Sequence, residues 1–503
     1  MIQFGARNLI INDKRVLIVT FDALRPDMVT PQLMPNLCRF REKGVFWPKM
    51  HSTFPTETRV NQTAVITGCY PERHGIVGNR FVDPVAAPGR LFDTGVESQL
   101  CEGDKRLGGK LLGVPSLGEL LQSASKSFAT ISAGTPGGGR MLNHKAEDLG
   151  SFRMALHAPE ATVGLAPPGQ RCEVEYIEKT FGPIPKHEIP ALDWNAYAMR
   201  VYLDYIEPKL RPDVAILWLS EPDTSYHEKG IGSDESLAAA QCVDQLFGQL
   251  LENRDIGSSS DLQIITLSDH GQITVASQKL NLSCKLKAAG FSVGETLEGG
   301  ADVALALSSA GGLYVRDSDP NLIRAIVDWI QRENWCGPVS TRDGDCTLKH
   351  SDLMWDHSRA PDIGLILKAE DRKNEYGYAG HTFQDSTYPT GGGIHGGLHK
   401  SELNNWLVAS GSMFKSKQTI DIPAGNVDLL PTILFLLGID VPSPVQGRVL
   451  LEALNEMLGS PPPAFKDEEV IVNERSGRRT ILNKSHVNGT QYINSCWVEG
   501  SAC

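Results

Sequence analysis

No stretch of the sequence sustains the roughly 20 consecutive apolar residues that a bilayer span requires, which argues against a membrane-spanning segment. A basic amino-terminal segment followed by an apolar core and a small-residue cleavage site is also missing from Met1-Ile-Gln-Phe-Gly-Ala-Arg-Asn8, so no signal peptide is expected and a cytoplasmic location is. The 10 cysteines include no CxxC pair. Cys336 with Cys346, or Cys496 with Cys503, would pair only after export, and free thiols in a reducing compartment are the expectation. For the same reason Asn488-Gly-Thr490 is not expected to carry a glycan. An excess of basic residues is absent too: 48 Lys and Arg stand against 60 Asp and Glu, a net charge of -12. That balance argues against a binder of nucleic acid polymers. A small anionic substrate would have to be attracted locally, and bound metal ions would do that.

What is present is ordinary in bulk, 41% hydrophobic and 21% charged residues, over a length of 503 that suits two domains or one large α/β domain with insertions. Three short apolar runs each lead into a carboxylate. Arg15-Val-Leu-Ile-Val-Thr-Phe21 runs into Asp22, Asp213-Val-Ala-Ile-Leu-Trp-Leu-Ser220 through Glu221-Pro222 into Asp223, and Asp261-Leu-Gln-Ile-Ile-Thr-Leu-Ser268 into Asp269. Near-continuous apolar runs of this length suit central strands of a parallel sheet covered on both faces, whose carboxyl ends are where ligands bind. His227 follows Asp223 by four residues, one helical turn, and His270 follows Asp269 directly. Oxygen and imidazole donors together suit Zn, Mn or Fe rather than Ca. In Gly391-Gly-Gly-Ile-His395-Gly-Gly-Leu-His399 the glycines let backbone approach a metal closely, which favours His395 as partner of Asp223 and His227, with His399 as the competing candidate.

Thr58 stands in Phe54-Pro-Thr-Glu-Thr58, just ahead of a helix expected from Arg59 to Thr67. A hydroxyl at or beside an N-cap faces free backbone N–H groups and the positive end of the helix dipole, although threonine also caps helices with no further role. Asn79 closes the loop after His74-Gly75, where its amide N–H could reach a phosphoryl oxygen or simply shape a turn.

Elsewhere Ser116 is expected to cap a helix, Ser127–Ser132 to form a strand, and Gly134-Thr-Pro-Gly-Gly-Gly-Arg140, which lacks the Lys-Ser/Thr of a Walker loop, to be a flexible loop between strand and helix. Ala158–Gly169 reads as irregular loop. The division expected is a catalytic α/β core over 1–274 and 391–503, interrupted by a smaller α+β cap insertion at 275–390. His350, His357 and His381 fall in that insertion and could reach the pocket, though scattered histidines are more often packing residues. After the Ser460-Pro-Pro-Pro-Ala464 linker a last strand pair is expected at Glu469–Val472 and Arg479–Leu482.

The order Asp22, Thr58, Asp223-x-x-x-His227, Asp269-His270, His395-Gly resembles the alkaline phosphatase superfamily, and within it the type I phosphodiesterase/nucleotide pyrophosphatase branch. Phe54–Thr58, Thr67-Gly-Cys-Tyr-Pro-Glu-Arg-His-Gly-Ile-Val-Gly-Asn79, Glu221-Pro-Asp223 and Ser268-Asp-His270 are close in form to its motifs. Glu57 and Arg59 depart from the Lys and Phe that flank the nucleophile in the better-known nucleotide pyrophosphatases, so the resemblance does not carry over a base pocket. Cys69-Tyr-Pro-Glu-Arg73 matches the sulfatase C-x-P-x-R signature, but it follows Thr67-Gly68 instead of preceding it, and Thr58 holds the nucleophile's place.

The resemblance implies an alkaline-phosphatase-like three-layer sandwich with a mostly parallel central sheet. It further implies two divalent cations, most naturally Zn2+, with Asp223, His227 and His395 on one and Asp22, Asp269 and His270 on the other. Thr58 lies beside the second and becomes a covalent phosphothreonine, while Asn79 helps hold the phosphoryl oxygens. The activity implied is hydrolysis of phosphodiester or pyrophosphate bonds in a small phosphoester. Phosphonoacetate hydrolysis, to which His395-Gly-Gly-Leu398 also corresponds, and phosphomonoester hydrolysis are the alternatives within the superfamily; a metal-binding module without turnover is the alternative outside it. A homo-oligomer is compatible with all of them.

Overall fold

The structure, a computed structural model, describes residues 14–157, 172–253 and 261–500. The Met1–Asn8 segment, the loop expected at Ala158–Gly169 and Cys503 lie outside the described residues.

The chain is a mixed α/β protein built on an eight-stranded sheet. In chain order its strands are β1 (Arg15–Phe21), β2 (Val45–Phe46), β3 (Phe128–Ser132), β4 (Phe152–Ala155), β5 (Val214–Leu219), β6 (Leu262–Leu267), β7 (Leu407–Ser410) and β8 (Gln418–Thr419). Across the sheet they run β8-β2-β7-β6-β1-β5-β3-β4. The pairs β6–β1, β1–β5, β5–β3 and β3–β4 are all parallel, and β7 joins β6 antiparallel. The mostly parallel central sheet expected from the apolar runs is therefore present. Side chains alternate across β1: Val16 and Ile18 enter one hydrophobic cluster, and Leu17, Val19 and Phe21 enter another. Burial of both faces is why these strands read as continuous apolar runs rather than as alternation.

Four helices bear on the site: α1 (Thr58–Thr67), α2 (Pro136–Leu142), α3 (Asp223–Lys229) and α4 (Asp234–Glu252). Ser233 caps α4 by accepting from the Ser236 N–H. The glycine-rich segment departs from expectation, since most of it forms α2, capped by the Thr135 hydroxyl. A Cβ on Gly137 would overlap the Thr94 carbonyl oxygen, and one on Gly139 would overlap Ala155. These glycines serve close packing rather than flexibility.

A separate six-stranded sheet runs Val293–Gly294, Val303–Leu307, Ala310–Val315, Ile363–Leu367, Cys336–Thr341, Leu348–Lys349. The helix Pro320–Ile330 buries Ile326, Val327 and Ile330 in a cluster with Leu313, Val339 and Leu365. The carboxy-terminal region holds three strands, Phe465–Asn473, Arg479–Val487 and Thr490–Glu499, where two were expected. The third returns through Asn488-Gly489, both at positive φ (50° and 90°), a hairpin signal in a segment weighed above only as a glycosylation match expected to stay unmodified. Cys336 and Cys346 are free thiols.

Candidate active site

Three adjacent parallel strands deliver three carboxylates to one edge of the sheet. Asp22 is the first residue beyond β1, Asp269 lies two beyond β6, and Asp223 opens α3 four residues beyond β5. The turns are tied together by backbone bonds: the Asp223 N–H donates to the Asp22 carbonyl (3.1 Å), and the Ala23 N–H donates to Asp269 Oδ1 (3.1 Å). Ala23 holds φ at 57°, a left-handed conformation that costs energy for a residue with a Cβ and that turns its N–H onto Asp269. Trp218 Nε1–H donates to Asp22 Oδ2 at 2.9 Å.

The three histidines expected here share one arrangement. Nδ1 of His227 lies 2.8 Å from the Gly393 carbonyl, Nδ1 of His270 lies 3.1 Å from that of Gly271, and Nδ1 of His395 lies 2.7 Å from that of Thr56. A carbonyl can only accept, so in the neutral rings Nδ1 carries the hydrogen and Nε2 keeps its lone pair. Those Nε2 atoms face carboxylates: His227 to Asp223 Oδ1 at 3.3 Å, His395 to the same oxygen at 3.6 Å, and His270 to Asp269 Oδ2 at 3.2 Å and Asp22 Oδ1 at 3.8 Å. The rings of His270 and His395 stack with centroids 3.8 Å apart.

Two groups therefore offer one ligand atom per residue with all atoms within 4.8 Å of one another: Asp22, Asp269, His270, and Asp223, His270, His395. The first matches the set implied by resemblance. In the second His270 takes the place expected for His227, whose ring is stacked on Tyr388 (4.0 Å) and whose Nε2 lies 3.1 Å from Gln272 Nε2.

Burial, then the neighbouring carboxylates Asp269 and Asp223, pushes the Asp22 acid well above its usual range. Burial also raises Asp269 and holds His395 well below an ordinary imidazole, the latter helped by His270. Asp223 is depressed: burial opposes its ionisation, and the positive charge that His227, His395 and His270 carry when protonated outweighs it. Asp22 Oδ1 and Asp269 Oδ2 are buried without any hydrogen-bond donor. Buried acceptors left unpaired are costly, and oxygen and imidazole lone pairs converging with no hydrogen between them fit divalent transition-metal cations.

Thr58 is the first residue of α1, and its Oγ1 lies 3.2 Å from His270 Nε2. Asn61 locks the preceding turn, its Oδ1 accepting from the Thr53 N–H (2.8 Å) and its Nδ2 donating to the Glu57 carbonyl (3.2 Å). Asn79 Oδ1 accepts from the Arg59 N–H at 3.3 Å, and the Asn79 backbone N–H donates to the Glu57 carboxylate. Burial raises that carboxyl to about 7.

Several residues here went unread in the sequence. Gln272 is fully buried and its Nε2 donates to Asp223 Oδ1 at 2.8 Å. The Asp269 carbonyl accepts from Ser52 Oγ (2.9 Å) and Asn426 Nδ2 (2.7 Å). Gln272 follows the Asp269-His270 pair closely enough to have been noticed, whereas Ser52 and Asn426 carry no local signal. The remaining histidines lie elsewhere. His350 is buried between Ser340 Oγ (3.0 Å) and the Pro361 carbonyl (2.9 Å), His381 Nδ1 bonds the Arg372 carbonyl, and His357 Nδ1 accepts from the Arg359 N–H. His399 caps a short helix and pairs with Asp371 at 3.0 Å. A cavity of about 510 Å³ lies over the site, with His227, His395 and Asn79 in its lining and a wall supplied by Leu305–Leu307 and Tyr314 of the six-stranded sheet.

A family profile described as type I phosphodiesterase / nucleotide pyrophosphatase matches residues 16–372. Relatives include ectonucleotide pyrophosphatase/phosphodiesterase family member 1 of Mus musculus, 25% identical over 240 residues (48% of this chain, 22% of the relative). A venom phosphodiesterase of Naja atra is 24% identical over 268 residues, 53% of this chain and 27% of the relative. An uncharacterized pyrophosphatase/phosphodiesterase of Schizosaccharomyces pombe is 27% identical over 266 residues, 53% of this chain and 46% of the relative. The chain thus matches less than half the length of each. No helix among the described residues is long and apolar enough to cross a membrane. Relatives named for venom and as ectonucleotide enzymes lend the cytoplasmic expectation no support. A match over most of the sequence, together with the clustered carboxylates and imidazoles, makes the chain a member of the type I phosphodiesterase/nucleotide pyrophosphatase family.

Proposed function

We propose that this protein hydrolyses phosphodiester or pyrophosphate bonds of small phosphoesters through a covalent phosphothreonine on Thr58. The observation that carries the reading is the placement of Thr58 Oγ1, 3.2 Å from His270 Nε2, on the first turn of a helix where two carboxylate–imidazole groups meet. In this reading the fold is the alkaline-phosphatase-like three-layer sandwich, with 275–390 as a cap whose sheet walls the cavity.

Asp223, His227 and His395 would hold one divalent cation, and Asp22, Asp269 and His270 the other, with Zn2+ preferred over Mn2+ or Fe. When bound, the ions lower the pKa of the threonine hydroxyl and offset the charge that gathers on the phosphoryl oxygens. Thr58 Oγ1 would lose its proton to solvent and attack phosphorus in line, forming its O–P bond as the bond to the leaving oxygen breaks, and that oxygen would take up a proton from water. The Thr58 N–H and the Asn79 side-chain NH2, whose Oδ1 is already turned to the Arg59 N–H, hold the nonbridging oxygens. Water attacks the phosphothreonine from the side the leaving group vacated and returns the hydroxyl.

The test is turnover of a p-nitrophenyl phosphodiester, p-nitrophenyl phosphate and phosphonoacetate after loading with Zn2+ or Mn2+. The expected order places the diester first. Preference for the monoester or for phosphonoacetate would move the protein to that activity, and two bound ions without turnover of any of them would make it a binding module. Thr58→Ala should lose turnover by at least about 1,000-fold while binding both ions, because the covalent step then has no nucleophile. Near wild-type turnover in that variant would remove the nucleophile assignment.

A further inference from the structure

Three cationic side chains line the cavity, and they are not equivalent. The Arg80 guanidinium is engaged by Asp93 at 2.7 Å. Arg59, the residue after Thr58, makes no ion pair among the described residues, and its Nε–H is buried without an acceptor. Lys279 stands exposed at the margin, also without an ion pair among the described residues.

The carboxylates of the same cavity are all engaged. Glu57 accepts from the Asn79 N–H, Asp93 holds Arg80, and Asp385 accepts from the Leu282 N–H at 2.9 Å. The cavity therefore contains a guanidinium with donors to spare and, among the described residues, no carboxylate within ion-pair distance of it. A buried N–H without an acceptor is a cost that native structures rarely retain unless a ligand or a bound water satisfies it.

Position separates this group from the reacting centre. Successive residues of a helix project about 100° apart around its axis, so Arg59 does not share the direction of Thr58. The guanidinium lies near Gly95, 3.7 Å from where a Cβ on that residue would stand, on the side of the loop that carries Asp93. None of the carboxylates of the metal-ligand cluster is ion-paired with it. What it is placed to grip is a neighbour of the phosphoryl group at Thr58, carried by the same substrate. A planar fork of donors suits a carboxylate or a terminal phosphoryl group, and the cavity has room for one.

We infer that Arg59, with Lys279 at the margin, forms a second oxyanion subsite, selecting phosphodiesters whose alcohol portion bears a further carboxylate or phosphoryl group. This inference rests on the phosphodiesterase reading above and narrows it from small phosphoesters in general to doubly anionic ones.

The test uses three p-nitrophenyl phosphodiesters that differ only in the end of the second alcohol: methyl, carboxylate or phosphate. For the wild-type protein loaded with its cations, kcat/KM on at least one anionic ester should exceed that on the methyl ester by about 10- to 100-fold, the range of a charge-assisted bidentate contact. Whichever anionic ester leads identifies the group. Arg59→Gln should bring that ratio close to one, mainly through KM. Arg59→Lys should retain part of it, since the charge stays and the fork is lost. Equal kcat/KM on all three esters in the wild type overturns the inference and leaves the phosphodiesterase reading standing. So does a proportional fall on all three in Arg59→Gln, which would mean that Arg59 acts on the transferred phosphoryl itself. Wild-type protein that hydrolyses none of the three overturns the phosphodiesterase reading, and the subsite with it.

Discussion

At the scale of single residues, the site works by what each group is prevented from doing. His227, His270 and His395 each spend Nδ1 on a backbone carbonyl, so each is left with only Nε2 to offer. Gln272 does the same for Asp223, its amide reaching both Asp223 Oδ1 (2.8 Å) and His227 Nε2 (3.1 Å). Removing that amide in Gln272→Leu should weaken cation binding by about 10- to 100-fold, as is usual when a partner that orients a ligand is lost. Chelator competition reads the affinity directly, and an unchanged constant would show that Gln272 does not hold the ligands. The clustered carboxylates and imidazoles were legible as candidates because carboxylates after apolar runs and His-Gly pairs are local patterns. Gln272, Ser52 and Asn426 were not, since an uncharged amide or hydroxyl has no signature until its partner is known.

At the scale of elements, α1 depends on its neighbour. Gln62 on α1 lies against Gly138 of α2, and Gly137 meets the Thr94 carbonyl. Gly137→Ala should therefore destabilise by about 1–3 kcal/mol through overpacking and should disturb Thr58 along with α1. Denaturant midpoint and turnover measured together check this, and a neutral variant would show that the contact relaxes freely. The glycine-rich stretch was misread because composition alone does not distinguish a flexible loop from a helix whose glycines permit close contact.

The six-stranded sheet has its own buried titratable group. Burial lowers His350 to about 4, against roughly 6.5 when exposed in the unfolded chain. The unfolded state thus binds the extra proton first as pH falls, so stability present above about 6.5 is lost progressively toward 4, by up to about 3 kcal/mol. The fall in urea midpoint between pH 7 and pH 4.5 should be smaller in His350→Gln than in the wild type. An identical fall in both would assign the acid sensitivity to other groups.

At the scale of the whole molecule, folding brings Asp22, Asp223 and Asp269 to one sheet edge. Burial and mutual repulsion hold Asp22 well above its usual range, which is a cost to the folded state. Cations that bound only the folded protein would reverse that cost, contributing about 4 kcal/mol at a free concentration 1,000 times Kd. Adding Zn2+ or Mn2+ to chelator-treated protein should raise Tm by several degrees, and Asp22→Asn combined with Asp269→Asn should shrink that rise. An equal rise in the double variant would place the stabilising ion elsewhere.

The sequence by itself determined the parallel core and most of the candidate ligand residues, because both follow from short-range rules: apolar runs buried on two faces, and ligands at the ends of those runs. Tertiary structure alone decided which histidine stands beside which carboxylate, that His270 stacks on His395, that the Arg59 guanidinium has no ion pair among the described residues, and that a distant sheet walls the cavity. Those facts depend on contacts between residues tens to hundreds of positions apart, whose geometry exists only once the chain has closed on itself.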